Sequence, residues 1–351
     1  MPVYVPQDLL AIRLKCASEG CAHEFPIPFK ERQAQPIEPV YPLDYNKQTN
    51  DRFWVCQSTQ INCPNCGKKV NLELPQQNAK AIVTLFVDEA QRPIGDREIW
   101  LFAASGADSR AIEEVCERLR RLKRSLIPNV DPDAWQLHMT ELWHGDERKK
   151  HPVFSRPDFP DVRRIVQEIA TFIRDEDDLF KIVSFSLREK SALAAAKRTA
   201  FQSLLIQTIH CLTELGSAPE LRLDAERPQS LQSQLTAWSE EVITEQRHLL
   251  LFPFLTRGIP IPKPAFVKPI RTSCVEISDF IAFWTTRTIS RRLNGLPVDF
   301  DLGKLGTVWY FAETTGGNLL HYRKEGLPWA EFFPREIAAV APPTSAAAGS
   351  D

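Results

Sequence analysis

Two pairs of thiols stand near the start of this chain, Cys16-Ala-Ser-Glu-Gly-Cys21 and Cys63-Pro-Asn-Cys66-Gly67. Thiolates are soft ligands, and two Cys-turn-Cys units can set four sulfurs tetrahedrally around zinc. The second pair has the Cys-Pro-x-Cys-Gly form of a zinc knuckle. The first is more widely spaced, so Cys56 or His23 can stand in for one of its members. Five of the eight cysteines fall within the first 66 residues, a crowding that in a reducing compartment suggests metal binding before disulfides. The competing reading is free or redox-active thiols. Four thiolates leave no open position, so the zinc is expected to be structural. Cys116, Cys211 and Cys274 are scattered through helical patterns and read as small core residues.

The second set of candidates is carboxylates. The apolar, β-branched run from Ile82 to Val87 ends in Asp88 and Glu89, which reads as a buried strand delivering an acid where the sheet stops. Asp224 lies in a short alternating stretch, Leu221 to Glu226, whose period of two puts Arg222, Asp224 and Glu226 on one side. Asp279 sits within an apolar helical stripe made by Ile277, Phe280, Ile281 and Trp284, where an acid needs a partner. Three carboxylates from separate elements can hold Mg²⁺ or Mn²⁺, hard cations that prefer oxygen. Glu89, His138 and Glu141 are candidates to complete that shell or to move protons. The bland alternatives are a strand ending in a solvated turn and a hydrogen-bonded structural histidine.

The elements that must position these residues follow from periodicity. Strands are predicted at 82–88, 97–104, 179–187 and 221–226, and helices at 109–126, 161–174, 192–215, 230–247 and 274–293. Ser273 and Glu276 form a capping box at the start of the last helix. Residues 144–151 read as a loop. The alternation of strands with helices of more than ten residues makes an α/β fold. Four segments are expected: a zinc-ribbon-like domain at 1–76, an α/β domain at 80–295, a β-hairpin extension at 296–336 and a disordered tail at 337–351.

Composition narrows the class. The chain has 351 residues, 43% of them hydrophobic and 25% charged, an ordinary balance for a soluble globular protein. No apolar run reaches the roughly 18 residues of a membrane span, and the N-terminus lacks a signal-peptide core, so a cytoplasmic protein without membrane partners is expected. A net charge of −2 excludes a global basic field. Nucleic acid would have to meet local basic faces, for which Arg118–Arg124, Arg148–Lys150 and Arg287–Arg292 are candidates.

The stretches Phe86-Val87-Asp88-Glu89-Ala90, His138-x-x-Glu141, Asp224 and Val275-Glu276-Ile277-Ser278-Asp279 resemble the signature of domain of unknown function 3800, a bacterial family of the ribonuclease H-like superfamily. The resemblance spans roughly residues 80–295. It implies a ribonuclease H-like mixed sheet flanked by helices, and a divalent-metal site at Asp88, Asp224 and Asp279. Ala90 stands where that family favours serine or threonine, and Glu276 and Ser278 where it favours glutamine and alanine. The zinc-ribbon segment lies outside the resemblance. Acids and resemblance together lead to the expectation of a metal-dependent nuclease whose zinc ribbon docks nucleic acid or a protein partner. The alternatives are a non-catalytic nucleic-acid or protein-binding module and a phosphotransfer or hydrolytic enzyme acting on nucleotides.

Overall fold

The computed structural model describes residues 13–26, 30–33, 52–55, 60–71, 79–246, 263–268, 271–313, 319–333, 335 and 337. Cys56 and all of the expected tail except Ile337 lie outside them. The N-terminal segment holds three two-stranded antiparallel ladders: β1 (Arg13–Lys15) with β2 (Glu24–Pro26), β3 (Lys30–Gln33) with β4 (Arg52–Val55), and β5 (Gln60–Asn62) with β6 (Lys69–Asn71).

A seven-stranded mixed sheet follows. Its strands are β7 (Ala81–Ile94), β8 (Arg97–Asp108), β9 (Phe180–Glu189), β10 (Ser217–Asp224), β11 (Ala265–Val267), β12 (Thr307–Glu313) and β13 (Leu319–Glu325), in the order β11-β10-β7-β8-β9-β12-β13. β7, β8 and β9 form an antiparallel meander. β10 and β12 lie parallel to β7 and β9 respectively, so the expected C-terminal hairpin widens this same sheet. Val83 to Val87 are buried without alternation, as a strand covered on both faces requires. At Gly106 a Cβ would lie 1.8 Å from the Thr84 carbonyl oxygen, so no other residue fits where β8 crosses β7.

Helices cover both faces. On one side pack α1 (Ile112–Leu126), α4 (Val162–Asp175) and α7 (Cys274–Leu293), and on the other α5 (Leu193–Glu214) and α6 (Gln229–Gln246). Each buries the stripe its periodicity marks: Val115, Leu119 and Leu126 on α1, Ile165, Ile169 and Ile173 on α4. The interior of α5 carries no strong stripe because Phe201, Leu204, Leu205, Ile209 and Leu212 bury most of its surface. Cys116, Cys211 and Cys274 are all buried core residues. Two short helices, α2 (Met139–Trp143) and α3 (Gly145–Lys150), complete the connection after α1. The second replaces the expected loop at 144–151. Asp146 and Glu147 in its first turn and Arg148, Lys149 and Lys150 in its last complement the helix dipole.

Candidate functional site

The four paired cysteines converge. The sulfurs of Cys16, Cys21, Cys63 and Cys66 all lie within 4.8 Å of one another, with Cys16–Cys66 at 3.6 Å and Cys21–Cys63 at 3.7 Å. Tetrahedral zinc–thiolate bonds of about 2.3 Å require sulfur separations of about 3.8 Å, so this donor set fits a metal such as zinc. Backbone bonds shape both turns: Cys16 N donates to the His23 carbonyl (2.9 Å), and Cys63 N to that of Lys68 (2.8 Å). Gly67, at φ +72°, closes the second turn in the left-handed region. The Asn65 side chain donates to the Cys21 sulfur (3.4 Å). That bond, reinforced by the His23 backbone, lowers the Cys21 thiol to about 6. His23 contributes its carbonyl rather than its ring, which stacks on Phe25, so Cys16 and Cys21 fill the first pair.

The acids gather at the β7/β10 edge. β7 does not end at Asp88; its ladder with β8 runs on through Ile94. Its pairing with β10, however, stops at Val87. Asp88 therefore occupies the first position at which β7 is open on that side. Asp224, the last residue of β10, comes one step after Leu223, the partner of Val87, and so reaches the same level and face. Its Oδ1 accepts from Glu226 N (2.8 Å), closing the turn beyond the strand.

Asp279 enters from α7, which is pinned onto the sheet. Ser278 Oγ donates to the Phe86 carbonyl (2.7 Å) and lies 2.8 Å from Ser105 Oγ, which also reaches the Cys274 carbonyl (2.9 Å). The hydroxyl at 278 thus ties helix to strand beside the acids. Asp279 Oδ2 accepts from Met139 N (2.6 Å), and its carboxyl faces the cleft that Asp88 also lines. Burial pushes the Asp279 carboxyl well above the usual range, and the Asp88 charge pushes it further. Burial also raises Asp88, against the Arg227 charge. Arg227 thus favours the charge on Asp88, and that charge in turn disfavours ionisation of Asp279.

Asp88, His138, Asp224, Arg227 and Asp279 line one cleft of about 260 Å³. Buried charge places His138 there. Lys123 Nζ and Glu276 Oε2 meet at 2.8 Å with side-chain exposures of 0% and 2%. Lys123 also donates to the Trp135 carbonyl (2.6 Å), and Glu276 accepts from Leu137 N (2.7 Å), which clamps the strand-like segment leading into His138. Glu276 completes the expected capping box as well.

Not every expected residue arrives. Glu89 leaves β7 on the opposite face, as strand alternation demands, and ion-pairs with Arg227 and with Lys197 (3.7 Å). Glu141 faces His151 (3.8 Å), outside the cleft lining. Among the described residues, the cysteines form the only acid, thiol or imidazole group tight enough to hold a metal as it stands, so the three aspartates share a cleft without converging on one point. The proposed basic face of α1 is largely neutralised: Lys123 is buried, Arg118 pairs with Glu176 and Glu114, and Arg120 pairs with Glu117 and Asp133.

Arg227, which sequence reasoning missed, donates to Asp88 Oδ1 (2.6 Å) and contacts Glu89. The signal available was its place three residues after Asp224, in the turn between β10 and α6.

Comparison with family models, with curated proteins and with solved structures found no match. No helix among the described residues is long and apolar enough to cross a membrane.

Proposed function

We propose that this protein is a divalent-metal-dependent nuclease whose centre is the Asp88–Asp279 pair. The observation that carries this reading is the convergence of two half-buried carboxyls, Asp88 from a strand and Asp279 from a helix, on one cleft that Asp224 and His138 also line. The mixed sheet flanked by helices supports its assignment to the ribonuclease H-like superfamily. Asp88, Asp224 and Asp279 are the oxygen donors suited to Mg²⁺ or Mn²⁺, and such an ion would supply an activated water and charge stabilisation at a phosphodiester. Asp88 and Asp279 would hold such an ion as carboxylates. His138, exposed at the cleft, is positioned to carry a proton to or from solvent. Arg227 offsets negative charge beside Asp88. In the N-terminal segment the four thiolates hold zinc as a structural clamp, on a unit that docks nucleic acid or a protein partner.

The Arg227–Asp88 ion pair favours a second reading, a non-catalytic nucleic-acid or protein-binding module in which a guanidinium serves as the cation of the site. Cleavage of labelled RNA, DNA and hybrid strands in Mg²⁺ or Mn²⁺ by the wild type, Asp88→Asn and Asp279→Asn separates the two. Cleavage lost in both folded variants supports the nuclease. A wild type that neither cuts nor takes up Mn²⁺ at millimolar concentration leaves the binding module.

A further inference from the structure

We propose that Arg92, His144 and Arg287 form a binding site for the phosphates of a nucleic-acid strand, continuing the acid cleft along α7. The identity of the strand rests on the nuclease reading; the site itself rests on the ring contacts and uncompensated charge around Phe283 and Trp143. Three elements bring these groups around the two aromatic rings. The Arg92 guanidinium lies 4.9 Å from the centre of the Phe283 ring, Arg287 lies 5.6 Å from that of Trp143, and the His144 ring meets Phe283 edge-on at 6.2 Å. Among the described residues no carboxylate pairs with Arg92, and its buried Nε has no hydrogen-bond partner. Arg287 shares one acid, Asp299, with Arg291.

Positive charge thus exceeds negative charge, and the groups oppose one another. Burial and the Arg287 charge lower Arg92, while burial and both arginines lower His144, with Glu147 acting weakly against them. A bound anion relieves that repulsion, satisfies the free Nε and has open access through exposed His144.

The geometry favours a polymer. Asp88, Ala90 and Arg92 share a face of β7, and four strand residues span about 13 Å. Asp279, Phe283 and Arg287 share a face of α7, and eight helical residues span about 12 Å. The two measures agree, and a strand bridges such a separation where a mononucleotide does not.

The test is fluorescence anisotropy of fluorescein-labelled 12-nucleotide single-stranded DNA and RNA with the full zinc-loaded chain in chelator-free buffer without added Mg²⁺ or Mn²⁺, across a salt series. Arg92→Gln should weaken binding roughly five- to tenfold and lower the salt slope by about one, while Arg92→Lys retains most of the affinity. Arg164→Gln, exposed on α4, should match the wild type. If Arg92→Gln melts early, His144→Ala carries the same test with a smaller loss. Wild-type silence, unchanged binding by folded Arg92→Gln, equal displacement by a glutamate dodecapeptide, or thymidine monophosphate binding as tightly as the 12-mer would each overturn the site. Cleavage in Mn²⁺ on the same proteins keeps the readings apart. Binding without any cleavage removes the nuclease and leaves the site, whereas cleavage with KM and binding unchanged in Arg92→Gln removes the site alone.

Discussion

The thiol cluster and the acid cleft both assemble residues distant in sequence, but they do so by different means. Each thiol pair is set by one tight turn, so local chemistry does most of the positioning and the four sulfurs meet within 4.8 Å. Each aspartate stands on a different element, and its place depends on how α7 and β10 dock against β7. Asp88, Asp224 and Asp279 share one cleft without closing on one point. A site made of turns closes around its donors, whereas a site made of docked elements leaves room for something else to enter.

The largest expected effect belongs to the turns. Structural zinc in small motifs contributes about 10–16 kcal/mol, so Cys63→Ser should abolish a zinc content of about one per chain, measured by elemental analysis. The tryptophan-fluorescence melt of the large sheet should persist, because neither hydrophobic core includes a residue from 13–71. Loss of both together would show that the regions fold as one.

Next comes the buried clamp behind the cleft. Lys123→Met leaves Glu276 buried without its cation, at a cost of about 3–5 kcal/mol, visible as a melting point lower by many degrees. Lys123→Met combined with Glu276→Leu should recover part of that loss. If the double variant is worse than the single, the pair is more than a structural link.

For the acids themselves, Asp279→Asn should lower cleavage by about two orders of magnitude or more while leaving zinc content intact. Equal activity would transfer the chemistry elsewhere.

The smallest effect is a pH dependence. Asp88 and Asp279 hold protons above the ordinary carboxyl value of 3.8. Their contribution to stability is complete below that value and is lost as pH rises through the elevated folded-state values, because the unfolded chain ionises first. Without added divalent cation, the melting temperature of the wild type relative to Asp279→Asn should therefore fall as pH climbs above about 4, and Mn²⁺ should reduce that difference in slope. A slope left unchanged in folded Asp279→Asn would exclude the raised Asp279 carboxyl as its source.

How legible these regions were depends on the range of the forces involved. Helices α1, α4, α6 and α7 and the core of the meander were readable because apolar periodicity records which face is buried, and α5 because a long, alanine-rich and largely apolar run reads as a buried helix. The extent of β7 was not: nothing local distinguishes a strand that ends at Asp88 from one that loses a neighbour on one side there. Residues 144–151 lacked an apolar stripe, so their helix was hidden. Arg227 and Lys123 were missed for a common reason. A cation in a turn or among the charges of a helix looks solvated until tertiary packing encloses it.

By itself the sequence determined the α/β class, the two thiol pairs, the capping box of α7 and the three aspartates as candidates, since each is encoded in composition, spacing or period within one element. Tertiary structure alone decided that Asp88 and Asp279 face one cleft, that Glu89 turns to the other face, that Lys123 and Glu276 clamp the approach to His138, and that Arg92, His144 and Arg287 gather around Phe283 and Trp143. Those outcomes depend on strand register and helix docking, where a displacement of one residue reverses a side chain's face, and no local pattern encodes that choice.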